Sequence, residues 1–179
     1  MKKVILSLIA LLFSLTTMAL TFTYGSLRCL KGQKSITVSL DLSKTTFKNR
    51  KKYTVDDFLS RAYRSKNWKE GSIQQFIKEF NEKTFKVGLR AVDEGKTEFE
   101  IQIIPGNIDS NGRFLNVVVN VVKKATGERM ASMVLDSDDG DDDDDIAFRD
   151  TMGDLGEQLG KFFTSKLKPN KKLKPNNRL

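Results

Sequence analysis

The sequence predicts an α+β fold: a single domain with an antiparallel meander sheet joined by an N-terminal strand, two helices inserted after that first strand, and one C-terminal helix packed on the sheet. Three observations carry this expectation. Apolar residues recur with helical spacing up to about residue 84 and at every second position after it. Turn residues then separate successive strand-like runs, and helical spacing returns after Arg149 along an arc bordered by glycines.

The chain opens with Met1, Lys2 and Lys3, followed by an almost wholly apolar run from Val4 to Leu20. Thr17-Met18-Ala19 places small residues where a signal peptidase inspects them, so residues 1–19 read as a cleavable signal peptide and the domain as 20–167. The competing reading, a retained membrane anchor, is disfavoured because the run falls short of the ~20 residues a spanning helix needs. Roughly 160 residues remain, enough for one domain with a core of its own. The only cysteine, Cys29, follows Arg28, which does not suit lipid attachment, and a lone thiol forms no internal disulfide. The expected location is therefore the periplasm or the medium, with no stable transmembrane segment after processing.

From residue 35 to 42 the pattern alternates, with Ile36, Val38, Leu40 and Leu42 on one face and Ser35, Thr37, Ser39 and Asp41 on the other, as in a half-buried strand. Thr54 can cap a short amphipathic helix carrying Val55, Phe58, Leu59, Ala62 and Tyr63. A second helix is expected after Gly71, where Ser72 and Gln75 stand in capping-box relation ahead of Phe76, Ile77 and Phe80. The lone Trp68, between the two, reads as a packing residue.

Four strand-like runs follow. Phe85, Val87 and Leu89 lead to the turn Asp93-Glu94-Gly95-Lys96, Phe99 to Ile103 form the second run, and Asn111-Gly112 supplies a tight hairpin before Phe114 to Val122. Valines on both sides of that third run suit a central strand. Ala125-Thr126-Gly127 then turns the chain into Arg129 to Leu135. In the last helix, Arg149 to Leu167, three glycines (Gly153, Gly156, Gly160) border the apolar arc. Each costs about 1 kcal/mol relative to alanine, which predicts close backbone approach to a neighbouring element. Residues 168–179, with two Lys-Pro pairs and little apolar surface, read as a disordered basic tail.

The net charge of +8 is segregated. Eight of the ten residues from Asp136 to Asp145 are aspartate, whereas Lys161 to Leu179 hold six lysines, one arginine and no acid. Such segregation argues for local electrostatic features rather than a nucleic-acid surface, and the tail has no interleaved aromatics for stacking. A polyanionic surface, lipopolysaccharide or phospholipid, is the partner its lysines suit. There is no histidine, which removes the commonest general base and zinc ligand, and no phosphate-cradling glycine loop occurs. A non-enzymatic protein without a cofactor is expected.

The aspartate run is the one conspicuous chemical feature. Crowded carboxylates repel, and calcium accepts six to eight oxygens in irregular geometry, so Asp136, Asp138, Asp139, Asp141, Asp143 and Asp145, folded about Gly140, form a candidate low-affinity calcium site. It is not an EF-hand: with Gly140 at the invariant glycine, Leu135 and Ile146 fall on the first and last ligand positions. The competing reading is a solvated acidic loop that discourages edge pairing.

The "TTMA" leader end, Tyr24-Gly25-Ser26-Leu27 with Leu30-Lys31-Gly32, "TVDDFL", and the closing "SDDGDDDDD" and "FRDTMGDLGEQLGK" resemble a group of small secreted proteins of gut bacteria. That resemblance implies export. More distantly, the succession of elements and the "GDLGEQLGKFF" helix are similar to envelope lipoproteins of the curli-secretion and penicillin-binding-protein-activator type, from which the sequence departs in lacking a lipobox cysteine. Together these readings lead to an exported domain that binds another cell-envelope protein through its sheet or its last helix, with calcium binding as the alternative.

Overall fold

Alternating apolar residues need a covering layer on one face only, and two helices supply it. The computed structural model describes residues 20–47, 68–109, 112–137 and 144–168. In chain order the strands are β1 (Thr21–Gly25), β2 (Ser35–Leu40), β3 (Thr46–Phe47), β4 (Arg90–Val92), β5 (Phe99–Ile104), β6 (Asn107–Ile108), β7 (Phe114–Leu115), β8 (Val117–Lys123) and β9 (Glu128–Leu135). Helix α1 (Trp68–Thr84) lies between β3 and β4, and α2 (Asp144–Leu167) follows β9. The α+β class holds.

The sheet is mixed, not an antiparallel meander. Its six strands run in the order β1-β9-β8-β5-β2-β4. β5, β8, β9 and β1 pair antiparallel, but β2 is parallel to both β4 and β5. The reason is the crossover: α1 returns the chain along the sheet, so β4 re-enters in the direction of β2, as a parallel connection requires. β4 has only three residues, after which the chain crosses β2 and starts β5 on its other side. The Thr37 hydroxyl marks the crossing, 3.0 Å from the Thr97 hydroxyl and donating to the Phe99 carbonyl at 3.3 Å. The expected hairpin at Asp93 to Lys96 therefore has β2 between its arms.

Local corrections follow from the same topology. Phe85 to Val87, expected as strand, form a 3-10 turn that prolongs α1 and closes on Gly88 in the left-handed region (φ 74°). Helix α1 starts at Trp68, ahead of the expected cap, so Ser72 is buried inside it with no hydrogen-bond partner among the described residues. Helix α2 starts at Asp144, five residues before Arg149. The expected helix at Val55 to Tyr63, the expected leader over 1–19 and the expected disordered tail beyond Lys168 fall outside the described residues. Strand β1, not anticipated, forms the far edge of the sheet, with a bulge at Thr23. The hairpin at Gly112 (φ 75°) is present but joins β6 to β7, and β6 pairs on its other side with β3 to make a small second sheet.

The core lies between the helices and the inward rows of the large sheet. Val38, Ile101, Val121 and Ala131 stand in one register, and Leu40, Ile103, Val119 and Met133 in the next. Phe76 and Phe80 of α1, with Met152, Leu155, Leu159 and Phe163 of α2, close over them, all fully buried. Burial of such side chains contributes about 1.5 to 3 kcal/mol each. Phe80 meets Phe163 edge to face at 5.3 Å between centroids, and Phe114 meets Phe148 at 5.2 Å.

The helices run side by side in one direction. Gly153 lies against Gln75, Gly156 against Phe76 and Gly160 against Phe80 and Lys83, while the Thr164 hydroxyl donates to the Lys83 carbonyl at 2.7 Å. Each helix runs antiparallel to the strand of the large sheet that precedes it, β2 or β9, and those two strands point the same way. The glycines thus serve the close approach that their spacing predicted.

Candidate functional site

Helix α2 spends its apolar arc and its small-residue side on the core and on α1, so both described helices lie on one face of the large sheet and the other face carries neither. Strand register decides what this face displays. Ser39 of β2 pairs with Gln102 of β5, Gln102 with Asn120 of β8, Asn120 with Ser132 of β9, and Ser132 with Tyr24 of β1. Five strands at about 4.8 Å spacing make this a polar row nearly 20 Å long. Ile104, Val118 and Val134 flank it on one side, Glu100 and Val122 on the other.

Internal bonds hold the row in place. The Ser132 hydroxyl donates to Asn120 Oδ1 at 2.8 Å, and Gln102 Nε2 donates to Glu100 Oε2 at 3.1 Å. At the β1 end the Tyr24 ring is 55% exposed, with the Arg129 guanidinium 5.1 Å from its centroid. Cation–π pairing at such a site is worth roughly 0.5 to 1 kcal/mol and orients the ring for a further contact. Sequence reasoning found the alternation in β2 and β5 but missed Tyr24 and Arg129: the alternation Thr21-Phe22-Thr23-Tyr24 would set Phe22 and Tyr24 on one face, and the bulge between them turns Tyr24 to the other.

The aspartate candidates are not brought together by the described residues. Asp138, Asp139, Asp141 and Asp143 lie outside them, and of Asp145 only its place in the first turn of α2 is described. Asp136 is half-buried, and one of its carboxylate oxygens accepts from the backbone N–H of Asn116. Beside it, Arg113 donates twice to the Ser137 carbonyl, at 3.2 and 3.1 Å, and the Phe114 N–H donates to the Ser137 hydroxyl at 3.0 Å. Asp136 thus anchors the exit of β9 against the start of β8. Among the described residues no three metal-ligating side chains are grouped.

Other titratable groups serve structure. Burial raises the Cys29 thiol above its usual range. Glu157 of α2 sits between Lys161, at 2.7 Å, and Lys83 of α1, at 2.9 Å, and the Lys161 ammonium, then that of Lys83, hold its carboxyl below the ordinary range. No described helix is long and apolar enough to cross a membrane.

No family model matches the chain, and no curated protein matches it. Among solved structures it is similar to a PelC dodecamer from Paraburkholderia phytofirmans in space group P6, at 10% identity and a TM-score of 0.41, covering 83% of this chain and 96% of that one. A single-substitution variant of that dodecamer in space group C2 gives 10% identity and 0.41 over 84% and 99%.

Proposed function

We propose that this chain is an exported, non-enzymatic domain that binds another component of the cell envelope through the outward face of its sheet. The charged start, apolar run and small residues up to Ala19 support export. The observation that carries the binding reading is the row from Ser39 to Tyr24: five strands hold hydroxyl, amide and phenol groups in one line, with Ser132 buried beneath its bond to Asn120, an apolar flank on one side and Glu100 with Val122 on the other. Such a face offers donors and acceptors with little rotamer entropy left to lose on association.

Site-specific photo-crosslinking in the native envelope tests it, with a crosslinking residue at Asn120 or Gln102 and a control at the exposed Gln74 of α1. The expected result is one discrete adduct from the sheet positions and none from the control. Equal labelling from all three positions, or recovery of the chain from the cytoplasm with Met1 intact, would overturn the reading.

A further inference from the structure

The parallel arrangement of α1 and α2 puts both helix C-termini at one end of the molecule. The bond from Thr164 to the Lys83 carbonyl fixes that alignment, and the 3-10 turn at Phe85 to Val87 lies at the end of α2. At this pole Phe85 is 73% exposed, the most exposed large apolar side chain among the described residues. Strands β2, β4 and β9 begin here and β8 ends here, so their termini add charge to the same surface. Lys34, Lys86, Arg90, Lys124, Lys166 and Lys168 are all exposed at this end. The acids at this end are fewer: Glu82, Glu128, the exposed Glu94 beside Gly95, whose carbonyl accepts from Lys124 at 3.3 Å, and Glu98, which is engaged by Lys123 at 3.6 Å and by Gln33 at 2.8 Å. Eleven further residues follow Lys168, with three lysines, one arginine and no acid, and the chain leaves the domain at this pole. The aspartate run enters α2 at the other end, about 36 Å away for a helix of 24 residues.

We propose that this pole docks on an anionic lipid surface, with Phe85 entering the interface and the lysines at the same end held to the headgroups. Charge complementarity selects the occupant: an excess of exposed cations at the same end as one exposed aromatic suits a surface that is anionic outside and apolar beneath, and several lysines act together there. Lys166 lies in the last turn of α2, where the negative end of the helix dipole favours a cation. This surface is separate from the outward sheet face, and either reading can fail without the other.

The test is sedimentation of the full chain, with its leader removed, against phosphatidylcholine vesicles with and without 30% phosphatidylglycerol. Binding is expected only to the anionic vesicles, with a steep decrease between low and physiological salt. Phe85→Ala should weaken it by about tenfold, the factor lost with one interfacial aromatic, and Lys86→Glu with Lys168→Glu by at least as much. Because Phe85 is exposed, its replacement leaves the fold intact. Phe85→Trp in a Trp68→Phe background should show a blue-shifted emission on the anionic vesicles. Unchanged emission, equal binding to zwitterionic vesicles, or binding to heparin that ignores Phe85 while vesicles are not bound, would each overturn the lipid assignment.

Discussion

Gly156 of α2 lies directly on the Phe76 carbonyl of α1: a Cβ at Gly156 would stand 2.5 Å from that oxygen. Backbone cannot move aside as a flexible side chain can, so Gly156→Ala already overpacks the interface. A loss of about 1 to 3 kcal/mol is expected, larger for Gly156→Leu. Gly71 in α1 gives the opposite sign, since nothing lies within 4 Å of its would-be Cβ. Gly71→Ala should stabilise by up to about 1 kcal/mol through helix propensity alone. Denaturant melts of both variants check the contrast, and equal effects would remove the packing account.

A pH dependence follows from Glu157. Its folded-state carboxyl is depressed, so it lends stability above the unfolded value of about 4.3 and loses it as pH falls through the lower folded value. Glu157→Gln should therefore be less stable than the parent at pH 7 and equal to it in acid below both values. The group is partly solvated, which keeps the difference under about 1 kcal/mol. A gap that persists at low pH would mean lost packing rather than lost charge.

These two sites also show what the sequence discloses and what it withholds. Glycines inside a helix are costly, so Gly156 and Gly160 announced a close neighbour; that the neighbour is α1, running parallel, depends on strand directions that no local pattern encodes. Ile101 and Val119 disclosed their face by alternation. Phe85 looked like an inward strand residue by the same rule and proved exposed, because the end of α1 tightened into a 3-10 turn. Thr37, polar by pattern, is 4% exposed since the link from β4 to β5 passes over it. The outward row was half legible, as Ser39, Gln102 and Asn120 sit in alternating strands, whereas Tyr24 depends on an edge strand placed by tertiary pairing.

At the break between β7 and β8, Asn116 holds φ 52°, among the described residues the one non-glycine in the left-handed region, and its N–H donates to Asp136. Asparagine tolerates this conformation and a β-branched residue does not. Asn116→Gly should be close to neutral, while Asn116→Val should cost about 1 to 2 kcal/mol. Since the backbone donor is kept in both, a loss in the glycine variant would point to a role for the amide side chain instead.

The acidic run offers the last prediction, because α2 begins at Asp144, within the run rather than beyond it. The first turn of a helix carries unsatisfied N–H groups and a partial positive charge, so carboxylates there are favourable. Asp144→Asn and Asp145→Asn should each lower stability by about 0.3 to 1 kcal/mol, and sodium chloride should shrink the loss. The same melts test the calcium reading of Asp136, Asp138, Asp139, Asp141, Asp143 and Asp145. A site of extracellular affinity, near 1 mM, would add about 1.4 kcal/mol at 10 mM calcium, and magnesium would add less because it requires a stricter octahedron. Asp136 enters such a site with one oxygen already taken by Asn116, so the double variant Asp139→Asn with Asp141→Asn is the decisive one. If it abolishes a calcium-specific shift, the run is a metal site. If magnesium or sodium chloride reproduces the shift, the aspartates act only through the helix dipole and their mutual repulsion.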